Sequence, residues 1–285
     1  MTSILITGGG GFIGRKLINK LETLGYNYIA LNSKDGDINK KSTFFSLPKV
    51  KYVFHLAGKS FVPDSWEENN ELFITNIIGT KNVLNYCKKV GAKLIMASSY
   101  VYGIPEELPV NENHPIKPSN PYALSKSMAE QLIEFEFLNH NVNSVILRLF
   151  NIYGIGQSEQ FLISKIVQQI KHNNVINVFD LKPKRDFVYI DDVVDAFICA
   201  MSIDDGLFKF NIGTGQSYSV EEVIYFIQEI LGTSLPICSK EISRKNEISD
   251  VKADISYAKN ILNWKPKYNI QDGLKKYIKE VFNNN

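Results

Sequence analysis

Residues 4–17 read ILITGGGGFIGRKL. Ile4, Leu5 and Ile6 form a short apolar run, and Phe12, Ile13 and Leu17 follow the glycines at helical spacing. The stretch predicts a strand that turns directly into a helix. Gly8, Gly11 and Gly14 recur at every third position across that junction. Glycine allows positive φ and lets a ligand approach the main chain closely. The start of the helix adds unpaired N–H groups and a partial positive charge. Together these suit a pyrophosphate, and the strand–turn–helix setting points to a dinucleotide. Thr7, Gly8, Gly11, Phe12, Ile13 and Gly14 are its expected cradle.

Outward from this loop, strand and helix alternate. Apolar runs Ile4–Ile6, Tyr28–Leu31, Tyr52–Leu56, Leu94–Ala97 and Val145–Leu149 read as buried strands. Helical spacing links Ile77, Val83, Leu84 and Cys87, and again Leu124, Met128, Leu132 and Phe135. Such alternation implies an α/β fold, a parallel sheet covered on both faces, with ligands at the ends of the strands. Beyond residue 150 the rhythm changes. Helix 161–171, strand DFVYI, helix 191–201, strand FKFNIG and helix SVEEVIYFIQEIL follow without a long linker. Residues 1–150 with about 186–215 are expected to form the dinucleotide domain. About 151–185 with 216–285 are expected to form a smaller interleaved lobe.

The bulk numbers exclude several classes. A net charge of +2 over 285 residues shows no basic stripe, so no nucleic-acid partner is expected. No apolar run approaches a membrane span. Cys87, Cys199 and Cys238 are three, widely separated, and show no metal-ligand spacing. They suit a reduced, cytoplasmic setting. His55 on the third strand is read as structural, and His114, His140 and His172 show no metal spacing.

The end of the second strand bears on the cofactor. An acidic residue there would bind the adenosine ribose and repel a 2′-phosphate. Here the strand runs into Asn32, Ser33 and Lys34, with no acid before Asp35. A donor-rich, cationic corner favours NADP(H), with NAD(H) the alternative. Asp37 and Ile38 are placed to meet the adenine.

A helix opening PYALSK, residues 121–126, brings Tyr122 and Lys126 to one face, four residues apart. With TGGGGFIG, FHLAG (54–58), SSYVYG (98–103), LRLFNIYG (147–154), RDFVYIDDV (185–193) and NIGTG (211–215), it resembles the extended short-chain dehydrogenase/reductase family that modifies nucleotide sugars. The likeness runs almost end to end. It implies a Rossmann-type doubly wound sheet, an NAD(P) cofactor, a nucleotide-diphosphate sugar as substrate and a homodimer built from helices near 66–89 and 122–138. HLAGKSFVPDSW and GIGQSEQF look most like the GDP-4-keto-6-deoxy-mannose reductase branch, with 4-epimerases as near relatives.

Hydride transfer at a sugar carbon needs a matching proton transfer to its oxygen. A free phenol has a pKa near ~10, and a lysine one turn away favours phenolate. The resemblance gives Tyr122 the acid/base role and Lys126 the supporting charge and a hydrogen bond to the cofactor ribose. Ser98, counted back from VYG, is expected to hold the sugar oxygen, with Ser99 ranked second. Leu56, Ala57, Gly58, Lys59 and Asn76 complete the expected cofactor surface. Asn151, Phe161, Arg185 and Arg244 are expected at the substrate, with Phe61 beside the pocket. Family dehydratases carry Asp-Glu after the catalytic serine or threonine, and fucose-synthase relatives carry cysteine at the place of Tyr100. Neither is present here. Asp191 and Asp192 open a helix, and at least one is expected to cap it.

The expected activity is therefore NADPH-dependent reduction of a 4-keto group on a nucleotide-linked 6-deoxy-hexose. A 4-epimerase of the UDP-hexose type, using NAD, is the alternative. A non-catalytic nucleotide sensor is the remaining one, although sensors lack the Tyr/Lys pair.

Overall fold

The computed structural model describes residues 4–60, 66, 70–242 and 247–283. Its strands are β1 (Ile4–Thr7), β2 (Tyr28–Leu31), β3 (Tyr52–His55), β4 (Lys93–Ser99), β5 (Ser144–Leu149), β6 (Asn151–Tyr153), β7 (Ile176–Val178), β8 (Lys184–Arg185), β9 (Phe187–Tyr189), β10 (Leu207–Ile212), β11 (Tyr218–Ser219), β12 (Ile237–Ser239) and β13 (Asp250–Val251). The helices include α1 (Phe12–Thr23), α2 (Asn70–Phe73), α3 (Thr80–Val90), α4 (Pro121–His140), α5 (Leu162–His172) and α6 (Ile190–Ala200). They continue with α7 (Val220–Leu231), α8 (Ser256–Asn260) and α9 (Ile270–Asn283).

Six strands form one parallel sheet in the order β10-β5-β4-β3-β1-β2. Alternate side chains on β1 reach opposite faces, as the period of a strand requires. Ile4 and Ile6 join a core with Leu17, Leu21, Val193 and Phe197 of α1 and α6. Leu5 joins another with Val83, Leu84, Ala129 and Ile133 of α3 and α4. Both faces are thus covered, which is why the strands read as continuous apolar runs. The fold is α/β and Rossmann-like. Strand order reverses between β1 and β3, where the loops after the two strands diverge and leave a crevice for ligands.

The remaining strands build short sheets, β11-β8-β13, β12-β7 and β6-β9. They pack with α5, α7 and α9 around a third core that includes Ile166, Tyr189, Ile224 and Leu274. Asp186 stitches this part to the ends of the main sheet. Fully buried, it accepts from Thr214 N and Oγ1, both at 2.7 Å, from Gly215 N at 2.9 Å and from Ala253 N at 3.1 Å. Its carboxyl is raised by burial, against which those four donors favour the charged form.

Two expectations about local structure are corrected. Neither Asp191 nor Asp192 caps α6, whose N-cap is Tyr189 and carries no side-chain bond. Asp192 instead accepts from the N–H groups of Lys267 and Tyr268, and Asp191 pairs with Lys16 and Lys276. Both anchor chain that comes from far along the sequence, a demand that outweighs the cap. The helix carrying Asn76 is also irregular. A π-helical stretch, Ile74–Gly79, joins α2 to α3.

Candidate active site

The glycine turn leaves the end of β1 with Gly8 at φ +76°. A side chain there would meet Ala57 N at 2.6 Å, and one at Gly14 would meet Gly8 O at 2.3 Å. These two contacts press the turn against the loop after β3 and the helix against the turn. The first turn of α1 has neither a side-chain cap nor an acidic residue. Its N–H groups are free to meet a diphosphate, so the chain fits the dinucleotide that the glycines predict.

Around that turn the expected cofactor residues occupy different stations. Thr7 Oγ1 contacts His55 Nδ1 at 2.8 Å, and Leu56 N donates to Thr7 O at 3.0 Å. His55 Nε2 meets Thr80 Oγ1 at 2.9 Å, and Thr80 donates to Asn76 O at 2.6 Å. Thr80 spends its proton on that carbonyl, so His55 Nε2 is the donor and Nδ1 accepts from Thr7. Burial lowers His55 to about 3, with the Lys126 charge acting in the same direction. A neutral, structural histidine results. Asn32 lies over the turn, its Oδ1 being 2.9 Å from where a Gly10 side chain would stand. Asp35 folds back to accept from Asn32 N at 3.0 Å, while Ser33 and Lys34 are exposed. Asp37 caps Asn39 N, and Ile38 packs into the core under α3. Phe12 and Ile13 sit half-buried at the start of α1.

Asn76 fixes the loop after β3. It accepts from Lys59 N at 3.0 Å and donates to Lys59 O and to Ser125 Oγ, at 3.1 and 2.9 Å. Lys59 itself turns outward to Glu71 at 3.3 Å. A side chain at Gly58 would stand 2.9 Å from Asn76 Oδ1 and 3.4 Å from Lys126 Nζ. The bare glycine therefore keeps the path to Lys126 open.

α4 begins with Asn120, whose side chain accepts from Ala123 N at 2.8 Å, and with Pro121 in its first turn. Such a cap is worth about 1 kcal/mol and fixes where the helix starts. Tyr122 and Lys126 follow on one face. Burial raises Tyr122 to about 12, against a hydrogen bond with Ser99 that lowers it, and the nearby Tyr100 adds to the rise. Lys126 is buried, donates to Ala97 O at 2.8 Å and is lowered by burial to about 8, with Glu130 opposing. The expectation that Lys126 makes the phenol acidic is corrected. Burial outweighs it, and the ammonium is turned to a carbonyl of β4.

The two serines face different surroundings. Neighbouring residues on a strand face opposite ways, so a count back from VYG does not decide between them. Ser98 is buried and donates to Glu130 Oε1 at 2.5 Å, inside the protein. Ser99, the last residue of β4, lies close enough to the Tyr122 phenol to favour its charged form. Tyr100 stacks on Phe150 with centroids 5.2 Å apart.

Toward the substrate side, Asn151 opens β6 with its Oδ1 buried and unpartnered. Arg185 donates to Lys184 O and Ile248 O, at 2.7 and 2.6 Å, and pairs with Glu247. Phe161 is the N-cap of α5. Arg244 and Phe61 lie outside the described residues. Sequence reasoning missed the buried set behind the site, in which Arg148 binds Glu130 and Tyr102, and Tyr102 donates to Asn211 at 2.6 Å. The motifs LRLFNIYG, SSYVYG and NIGTG held these residues; nothing local showed that they meet.

The family model described as "NAD dependent epimerase/dehydratase family" matches residues 4–213. A protein from Methanocaldococcus jannaschii, named as a putative UDP-glucose 4-epimerase, is 34% identical, with 99% of each chain covered. The dTDP-4-dehydro-6-deoxyglucose reductase of Escherichia coli is 29% identical over 98% of this chain and 97% of its own. Among solved structures, the Thermotoga maritima UDP-glucose 4-epimerase with UDP-glucose superposes with a TM-score of 0.92 at 30% identity, covering 99% of both chains. A glycine cradle, a tyrosine and a buried lysine on one helix face and a matching model over most of the sequence lead to one conclusion: the chain belongs to the NAD-dependent epimerase/dehydratase family, enzymes of nucleotide sugars.

Proposed function

We propose that the protein is a 4-epimerase of UDP-linked hexoses. The observation that carries this reading is that, among the described residues of the site, Tyr122 is the one proton-transfer group, with Ser99 near its phenol and Lys126 one turn beyond it. The next residue along, Tyr100, stacks on Phe150 and brings neither carboxyl nor thiol. Chemistry at one carbon requires one such group. An NAD cofactor held by the glycine turn would supply acceptance of hydride from C4 and its return to the opposite face of the 4-keto sugar. Tyr122 takes the proton of the C4 hydroxyl and later returns it, Ser99 holds that oxygen, and Lys126 binds the cofactor ribose. Asn151 Oδ1, buried without a partner, is assigned to the sugar. Arg185 is assigned to the diphosphate, which would replace Glu247 on its guanidinium. Phe161 is assigned to the pocket wall.

The epimerase is preferred to the reductase because the relatives with that name are the more similar, at 34% identity for the protein and 30% for the solved structure against 29% for the reductase. One observation favours NADPH-dependent C4 reduction as a second reading. Asn32, not an acid, lies over the glycine turn, and Lys34 stands exposed beside it. The experiment is to incubate the protein with UDP-galactose and assay UDP-glucose while following absorbance at 340 nm. Interconversion without net change in reduced cofactor supports the epimerase. Consumption of NADPH with a nucleotide-linked 4-keto-6-deoxy sugar, without interconversion of UDP-hexoses, overturns it.

We also propose a homodimer. Ile74, Ile78, Leu124, Met128, Phe135 and Leu138 are exposed on the π-helical stretch and α4, which pack side by side. Two copies would bury this stripe. Cys87, Cys199 and Cys238 are free, in keeping with a cytoplasmic setting. Among the described residues no helix is long and apolar enough to cross a membrane.

A further inference from the structure

Two consecutive residues at the end of β4 are gripped by two consecutive turns of α4. Lys126 Nζ donates to Ala97 O at 2.8 Å, and Ser98 Oγ donates to Glu130 Oε1 at 2.5 Å. Glu130 stands four residues beyond Lys126, and both are buried. The other oxygen of Glu130 is held by Arg148 NH2 at 2.7 Å, and Arg148 Nε reaches both oxygens at 3.2 and 3.1 Å. The carboxylate is thereby fixed in position by a buried guanidinium.

We propose that Glu130 is a positioning residue for the Tyr122–Lys126 pair: it pins α4 to the end of β4 through Ser98 and supplies the negative charge that keeps Lys126 protonated. This rests on the roles given to Tyr122 and Lys126 above. A merely structural ion pair has little reason to persist here, since apolar residues of similar volume often serve a core as well or better. Position supplies the reason. Tyr122 precedes Lys126 by one turn, so a clasp that sets the height of α4 also sets the distance from Tyr122 to Ser99.

The charges around Lys126 come from few directions. Tyr122 and Glu130 share its helix, and His55 faces it from β3 as a neutral imidazole. Ala97 of β4 offers a carbonyl only. Arg148, on β5, is directed through NH1 to Tyr102 OH and Glu112 O. Lys59, in the loop after β3, is turned to Glu71. The negative charge acting on Lys126 is that of Glu130, which counters its burial.

The test reads Lys126 directly in the unliganded protein. Its ammonium is titrated by 15N NMR of labelled lysine, assigned with Lys126→Met, in the wild type, Glu130→Gln and Glu130→Asp. In Glu130→Gln the Lys126 midpoint should fall by about one pH unit or more, the usual effect of one opposite charge at close range. Glu130→Asp, which keeps the charge, should return it toward the wild-type value. The alkaline limb of kcat/KM should move with it while KM changes less than about twofold. If Glu130→Gln fails to fold, Glu130→Gln/Arg148→Gln strands no buried charge and should show a fall in the same direction, smaller because the guanidinium is removed as well. A folded variant without Glu130 in which Lys126 titrates as in the wild type overturns the proposal. The NMR titration uses no substrate, so failure of the epimerase reading would appear separately, in the activity assays alone.

Discussion

Replacing Lys126 by methionine should make the protein more stable at neutral pH while removing its activity. The ordinary lysine value of 10.5 drops to about 8 at Lys126, because burial disfavours the ammonium. At ~1.36 kcal/mol per pH unit, that separation corresponds to a penalty of about 3 kcal/mol at pH 7. The penalty is complete below pH 8, where folded and unfolded chains both bind the proton. Between about 8 and 10.5 the unfolded chain binds more protons, so stability rises with pH. Above 10.5 the penalty is gone. Methionine removes it at every pH but leaves Ala97 O without its donor, which costs about 1 kcal/mol.

The expected net gain for Lys126→Met is about 2 kcal/mol at pH 7, an upward shift in Tm of roughly 4–8 °C for a chain of this size. Urea unfolding of the unliganded wild type and variant, at intervals from pH 7 to 11, measures it. The advantage should shrink from pH 8 upward and reverse near about pH 10. Over the same range wild-type kcat/KM should fall, because the charged form is the active one. A Lys126→Met variant that is less stable at pH 7, or a gap that ignores pH, would refute the reasoning.

Three further outcomes are expected. Ser99→Ala should lower kcat by about 10- to 100-fold with little change in stability, whereas Ser98→Ala should cost about 1–3 kcal/mol in urea unfolding by leaving Glu130 short of a partner. The opposite pattern would restore Ser98 to the sugar. Gly14→Ala would drive a methyl group to 2.3 Å from Gly8 O, and calorimetry should show dinucleotide affinity reduced at least about tenfold. Phe135→Glu combined with Leu138→Glu places charge on the exposed stripe of α4, and sedimentation should show monomers where the wild type is a dimer.

What the sequence revealed, and what it hid, follows from the range of each interaction. β1, the glycine turn and α1 are contiguous, so their pattern was legible in residues 4–17. β10 was readable for the same reason: FKFNIG became Leu207–Ile212. Tyr122 and Lys126 share a helix turn, and their common face follows from spacing alone. Ser98 and Ser99 are indistinguishable in composition; only the packing of β4 on α4 shows which one faces Glu130. The effect of Lys126 on Tyr122 was misjudged because spacing says nothing of burial, and burial dominates both groups. Asp186, Arg148 and Asn211 meet partners 18 to 109 residues away. Their motifs were visible, but not the contacts.

The energies of the two reactive groups limit when the site can work. With Tyr122 near 12, forming phenolate at pH 7 in the unliganded protein would cost about 7 kcal/mol, five pH units at ~1.36 kcal/mol each. Its bond from Ser99 does not overcome this, and Lys126 is occupied with Ala97 O. A free tyrosine in this pocket is thus a proton donor, poorly suited to start by taking one. The positive charge that would make it a base has to arrive with ligands, or through a rearrangement that turns Lys126 from β4 toward the phenol. Either route couples proton transfer to occupancy of the crevice.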